Sequence, residues 1–371
     1  MGRVGSKVAG KEGHERTGRA SGGWAGAVAL IALLFLAAGV AAAASAPLQL
    51  KYVGSWSNLS LFQNFEKPFW GETLPKALGG TVTFQISSVD QMGLKGPEVF
   101  RLLQMGLYQV AATTGDYVIG DVPALEGLDM PALAPDIGLA RRIVDSYRPV
   151  VDEAFRRQYN ATVLAIVPYP AQILFCRDRL ESVADLKARK IRISGRSSAD
   201  FVQAVGGTAI NLAFSEVPQA LERGVVDCAV TGSLSGYHAG WGEVSSYLYP
   251  LPVGGWDYVV TAMRLDDWNR LGAERQQGLR QAIARDFEDA VWKAADRETQ
   301  QGIACLTGTG PCEYGQPRKM HLVPLKDADR QAASQVLTQY VLPKWAARTS
   351  PEWVSRWNET IGKVTGLVAK P

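Results

Sequence analysis

Lys190–Val230 reads KIRISGRSSADFVQAVGGTAINLAFSEVPQALERGVVDCAV, and its punctuation decides the fold. The alternation in Lys190–Ser194 (KIRIS) fits a strand, and Ser197–Val205 fits a helix that stops at Gly206-Gly207. Thr208–Leu212 reads as a short strand. Ser215 is placed to cap a helix through Arg223, Gly224 lies past its end, and Val225–Val230 is a further strand. Strands alternating with helices at this spacing imply a largely parallel sheet with crossover helices.

The same order runs through the earlier chain. Leu48–Val53 alternates as a strand, a helical stretch from about Phe62 to Leu78 contains Pro68 and Pro75, and Thr81–Ile86 is a β-branched strand. A helix Pro97–Met105 leads to the strand Tyr108–Thr113, and Ala161–Val167 and Gln172–Cys176 read as two more strands. The expected class is α/β, with two domains that each carry a central, mostly parallel sheet. From Asp266 to about Gln300 the pattern turns helical, apolar at Leu271, Leu279, Ile283, Phe287 and Val291, long enough to brace both domains.

The 371 residues carry 39 Lys+Arg against 36 Asp+Glu, and the excess is confined to one end. Residues 1–20 hold Arg3, Lys7, Lys11, Arg16 and Arg19 against Glu12 and Glu15, which is 5 − 2 = +3. Val28–Val40 (VALIALLFLAAGV) follows as an uncharged apolar core, then the small-residue run AAAASA. That is the layout of a secretory signal peptide, with cleavage after Ala46 or Ala44. An uncleaved anchor is the alternative, since roughly 20 apolar residues span a bilayer. Beyond residue 46 the balance is 39 − 5 = 34 basic and 36 − 2 = 34 acidic side chains, so no basic surface suits nucleic acid.

An exported protein can hold disulfides. Cys305 and Cys312 bracket CLTGTGPC, whose glycines and proline let the chain fold back, so a disulfide is expected there. For Cys176 and Cys228 a second bridge and two buried thiols are equally open. Neither the C-x6-C spacing nor the scattered histidines makes a metal site, and no metal or cofactor is expected.

Catalytic motifs give no foothold. GSLSG at Gly232–Gly236 has Leu234 where a nucleophile would stand, and no phosphate-binding loop or H-E-x-x-H occurs. His238, beside Tyr237 in an expected loop, is better suited to hydrogen bonding than to acting as a base. An exported hydrolase is the remote alternative.

One cation is well placed for binding. Arg192 lies near the carboxyl end of a strand, before Ser194-Gly195 and a helix start, where open α/β sheets collect ligands. Its planar fork matches a carboxylate. The competing reading is an outward charge paired with a surface Asp. Trp56, Phe214, Tyr237, Trp241, Trp256, Asp257 and Tyr258 lie in nearby loops, and the aromatics among them are candidate cleft walls.

Val183–Gly195 (VADLKARKIRISG), Val205-Gly206-Gly207 and Ala213–Asp227 (AFSEVPQALERGVVD), with DQMG at Asp90–Gly93 and LLQMG at Leu102–Gly106, resemble the signature of TRAP-transporter substrate-binding proteins of the DctP family. The resemblance implies a two-lobed periplasmic binding protein, monomeric, that closes over a small organic acid and delivers it to a permease with a small and a large membrane subunit. It implies lobes at 47–171 with 261–300 and at 172–260 with 301–371. Arg192 then stands where the family binds carboxylate, Phe214 lines the pocket, and Thr231 follows the VVD strand. Many members have a second Arg and an Asn-Pro where this chain has Gln172 and Thr231-Gly232, which weakens the case for a dicarboxylate. The ligand expected is a monocarboxylate held by Arg192 among Trp56, Phe214, Trp241 and Trp256. A ligand-presenting sensor is the alternative role.

Overall fold

A computed structural model describes residues 47–371; the expected signal peptide lies outside the described residues. The strands in chain order are β1 (Leu48–Gly54), β2 (Val82–Ser88), β3 (Val110–Thr114), β4 (Ala161–Val167), β5 (Gln172–Cys176), β6 (Lys190–Ile193), β7 (Thr208–Asn211), β8 (Cys228–Gly232), β9 (Tyr247–Tyr249), β10 (Val259–Arg264) and β11 (His321–Leu322). They form two sheets, ordered β2-β1-β3-β10-β4 and β11-β9-β5-β8-β6-β7.

Both sheets are mostly parallel, as expected, and each carries one antiparallel strand, β10 in the first and β5 in the second. β1 runs parallel to β2 and β3, but β10 inserts antiparallel between β3 and β4. In the second sheet β6 is parallel to β7 and β8, while β5 is antiparallel to β8 and β9. The cause is connectivity: the chain passes between sheets at 168–171 and returns at 250–258 without a crossover helix, and such direct returns give antiparallel partners. The boundary expected between residues 260 and 261 falls inside β10, whose Val259 and Val260 already pair with Thr114 and Thr113 of the first sheet.

The helices depart from expectation in three places. The helix expected from Ser215 begins as a 3-10 turn, Phe214–Glu216, closed by the Glu216 carboxylate accepting from the Ala213 N–H. The α-helix starts only at Val217, with Pro218 in its first turn, so Ser215 is not its cap. His238 ends a helix, Ser233–His238, rather than lying in a loop. Ile137–Tyr159, a continuous helix of 23 residues with Asp136 as N-cap and Asn160 in the left-handed region at its end, was not announced by the pattern; Pro149 lies inside it.

The long late helix is present. It follows a short helix, Leu265–Arg270, and a break at Gly272, whose φ of 77° ends one helix and frees the next, and then runs without interruption over 273–307. It touches both sheets' layers. The Trp292 indole donates to Ile166 O and Glu288 accepts from the Ile166 N–H, while Thr299 O accepts from Ser233 Oγ. The C-terminal helices also reach both. Trp357 Nε1 donates to Gly127 O at 2.7 Å, and Lys344 contacts Asp200 of the helix Arg196–Ala204.

Two disulfides are formed, Cys305–Cys312 and Cys176–Cys228. The second joins residues directly opposite in the β5/β8 ladder, with Cα atoms 4.1 Å apart. Facing positions of an antiparallel pair bring Cβ atoms within disulfide reach.

Candidate functional site

The carboxyl ends of β6, β7 and β8 converge on Arg192. Its side chain is 2% exposed. Nε donates to Leu212 O at 3.0 Å and Nη1 to Val230 O at 2.8 Å, so carbonyls beside both neighbouring strands fix the guanidinium plane. Its carbon stands 5.7 Å from the centre of the Trp241 ring. Among the described residues no carboxylate lies within 4.0 Å of it, unlike most of the other arginines. The surface ion pair that would have explained Arg192 structurally is therefore not the one formed.

Arg192 borders a small cavity of about 20 Å³ between the two sheets. Trp56, Leu59, Thr114 and Tyr117 line it from the first sheet's side, and Gln172, Ser194, Phe214, Thr231 and Ser235 from the second, with Tyr169 and Asp257 on the two connecting segments. Of the expected residues, Arg192, Phe214, Thr231, Gln172, Trp56 and Asp257 are thus brought together. Tyr237, Trp241 and Trp256 are not. Trp241 lies behind the wall, 5.4 Å from the Phe214 ring and edge-on to Phe175, where it backs Phe214 and Arg192. Trp256 turns its indole away to donate to Ala134 O at 3.0 Å. Tyr237 donates to Gln316 O and packs beside His238, whose ring also meets Tyr314. Residue type and loop position do not state side-chain direction, and these three point elsewhere.

Tyr117 and Tyr169 escaped notice in the sequence. Tyr117 follows the end of β3, where the strand-end rule would have found it, and its Oη accepts from the Phe214 N–H at 3.3 Å. Tyr169 stands between Pro168 and Pro170 just after β4, is 3% exposed, and its hydroxyl has no hydrogen-bond partner among the described residues. Burial raises both phenols above their usual range.

Trp56 owes its position to a buried acid. Glu66 accepts from Tyr52 Oη at 2.9 Å and from the Ser55 N–H and Oγ at 2.8 and 2.7 Å. Gly54 allows this approach, since a Cβ there would lie 2.7 Å from Glu66 Oε2. Burial pushes the Glu66 carboxyl up to about 7 against the pull of those donors. Asp90 of the DQMG stretch accepts from Ser57 and pins the far side of the same turn.

Acidic groups gather at the other end of the cavity. Asp129 accepts from the backbone N–H groups of Trp256 and Asp257, the latter at 2.7 Å, and burial followed by nearby Asp116 pushes it up to about 7. Those bonds hold Asp257 at φ 46°, a left-handed conformation that Asp tolerates better than most residues. Burial, then Asp116 and Asp129, raise Asp257 well above the carboxylate range, and Arg192 pulls the other way. A second small cavity of about 30 Å³, bordered by Asp116, Asp129, Arg196 and Ser197, meets the first at Ser194 and Asp257.

Cross-sheet contacts close around this region. Lys95 pairs with Glu216 at 2.7 Å, and Ser197 Oγ donates to Asp129 O. A cation on one wall, hydroxyls and an amide around it, and aromatic faces between are features of a small-molecule cleft.

Residues 56–346 match the family model described as DctP, bacterial extracellular solute-binding protein, family 7. The chain belongs to this DctP family. The family is one of bacterial extracellular solute-binding proteins. Solved structures share the fold. A Bordetella pertussis extracytoplasmic solute receptor binding pyroglutamic acid is 19% identical, with 84% of this chain and 99% of that one covered and a TM-score of 0.72. A TRAP periplasmic solute-binding protein from Desulfovibrio salexigens with bound orotic acid is 17% identical, covers 85% and 99%, and has a TM-score of 0.75. One from Rhodoferax ferrireducens with bound malonate is 17% identical, covers 85% and 98%, and has a TM-score of 0.73. The DctP match thus agrees with the two-lobed α/β fold expected from the sequence.

Proposed function

We propose that this DctP-family receptor captures a small organic acid between its two lobes, with Arg192 holding the carboxylate, and hands it to the small and large subunits of a TRAP permease. The observation that carries the reading is Arg192 itself: buried, fixed by two carbonyls, free of a carboxylate partner among the described residues, and facing the cavity. A buried cation is costly unless paired, and a ligand carboxylate supplies the pair. Trp56 and Phe214 give it apolar faces, while Gln172 and Thr231 offer polar contacts. Trp241 supports the site from behind. Pyroglutamate, orotate and malonate in similar folds are carboxylates, although a further one holds sn-glycerol-3-phosphate.

The lobes correspond to the two sheets, joined at 168–171 and 250–258, and ligand contacts from both would favour the closed arrangement over an open one. The signal peptide is removed near Ala46 and the mature protein acts in the periplasm as a monomer. A thermal-shift screen of the mature protein against an organic-acid library, followed by calorimetry, tests the function. Arg192→Ala should weaken carboxylate binding by about 2–5 kcal/mol, and Arg192→Lys should also weaken it because an ammonium cannot form the fork. Parent-like affinity in a correctly folded Arg192→Ala protein removes Arg192 from this role.

A further inference from the structure

We propose that closing the lobes over the acid takes up one proton from solvent, shared by the facing carboxyls of Asp116 and Asp257, so that acid and proton bind together. The inference rests on the carboxylate reading above and adds the proton to what the receptor binds.

The pair is built from two separate segments. Asp116 follows β3, and Thr114 Oγ1 donates to its Oδ1 at 2.7 Å. Asp257 lies on the segment returning from the second sheet, and its carboxyl stands against that of Asp116, within reach of a shared hydrogen bond. No donor among the described residues reaches Asp257 Oδ1, which is sealed from solvent. A buried acceptor without a donor is costly, and two facing carboxylates repel, so a single proton relieves both. Such a pair titrates as a unit.

The cover comes from the other lobe. A Cβ built on Gly195 would lie 3.2 Å from Asp116 Cβ, and Ser197 Oγ donates to Asp129 O at 3.3 Å. Gly195 and Ser197 belong to the turn and helix after β6, so opening the lobes lifts them away and admits water to the acids. Burial, then Asp116 and Asp129, favour neutral Asp257, and Arg192 opposes them. The phenols of Tyr117 and Tyr169 face Asp257 and that of Tyr258 faces Asp129; burial holds all three above their usual range, so they stay neutral. Glu126 and Arg196 border the adjoining cavity, and His238 and His321 border neither.

Ligand and proton assist each other. A ligand carboxylate on Arg192 engages the one charge that favours ionised Asp257. The closed site then holds the ligand anion, Asp116 and Arg192, with Asp257 neutralised by the proton. Opening returns the acids to water and the proton to solvent. Because the closed, liganded form carries the extra proton, binding tightens as pH falls and weakens as pH rises.

Calorimetry of the mature protein tests this with pyroglutamate, orotate, lactate and pyruvate, all ionised between pH 6 and pH 8, so that any proton taken up goes to the protein. Any library acid ionised in this range that binds where these do not is titrated in the same way. Titrations at pH 7 in phosphate and in Tris, buffers of different protonation enthalpy, should give an uptake on the order of one proton. Affinity should rise roughly tenfold per pH unit from pH 8 to pH 6. Asp257→Asn, which keeps the left-handed backbone, and Asp116→Asn should each remove most of the uptake and flatten that profile. Asp257→Asn should also bind at pH 8 about as tightly as the parent does at pH 6. A parent protein that binds these acids with no uptake overturns the proton inference and leaves the carboxylate reading standing. Uptake unchanged in both folded variants overturns the assignment to this pair. Failure of all four probes and of every library acid overturns both readings.

Discussion

The Trp56 and Phe214 rings meet with centroids 5.8 Å apart, one in the turn after β1 and the other in the turn after β7, and so join the two sheets across the mouth of the candidate site. Tyr117 stands edge-on to Trp56 at 5.9 Å and accepts from the Phe214 N–H, which makes the three a cross-lobe cluster.

Trp56→Ala should weaken acid binding by about 1.5–3 kcal/mol, the loss of one large apolar wall. In a double-mutant cycle with Phe214→Ala, the two rings should show a coupling of about 0.5–1.5 kcal/mol in unfolding free energy. Additive losses would show that the ring contact contributes nothing to holding the lobes together.

Arg348 should be a sensitive position for stability. It pairs with Glu126 on the first sheet's side and with Asp200 of the helix Arg196–Ala204 on the second's, and both carboxylates are nearly buried. Arg348→Met leaves the nearly buried Glu126 without its ion-pair partner, with only Lys344 still pairing Asp200, at an expected cost of about 3–5 kcal/mol in urea unfolding. Glu126→Gln in the Arg348→Met background should recover part of that loss.

The two disulfides should differ in weight. Cys176–Cys228 closes a loop with a separation of 52 residues and Cys305–Cys312 one of 7. Chain entropy assigns about 4 kcal/mol to the first and about 2 kcal/mol to the second. Paired Cys→Ala replacements followed by denaturant unfolding measure both, and a larger loss at Cys305–Cys312 would contradict the ordering.

Stability should fall between about pH 4.5 and pH 7. Glu66 moves from 4.5 to about 7 on folding and Asp129 from 3.8 to about 7, chiefly through burial, so the folded state holds more protons than the unfolded state across that window. Their neutral forms stabilise the fold at low pH, and that contribution is lost as pH rises through the folded values. Carboxylates shifted the other way, such as Asp90 and Asp121, act only as pH falls below their ordinary range. Unfolding free energies at pH 5 and pH 8 should therefore favour pH 5, and Glu66→Gln should reduce the difference. An unchanged difference in that variant would exonerate Glu66.

Much of the fold was legible because its signals are local. The strand alternation of KIRIS, the Gly206-Gly207 stop and the strand-end placement of Arg192 each depend on a few neighbouring residues, and the structure shows them where the pattern put them. The same rule, applied to the end of β3, would have reached Tyr117. The helix Ile137–Tyr159 had its N-cap Asp136 and its C-terminal Asn160, but Pro149 masked the signal.

The sequence by itself determined the class of fold, the family, the bracketed Cys305–Cys312 loop and the position of Arg192, because periodicity, punctuation and short loops are properties of contiguous residues. Tertiary structure decided the rest. The antiparallel insertion of β10 and the pairing of Cys176 with Cys228 follow from which distant strands become neighbours. The turning of Trp241 and Trp256 away from the cavity, and the meeting of Arg192 with Asp257 across it, depend on side-chain directions that exist only once both sheets are packed.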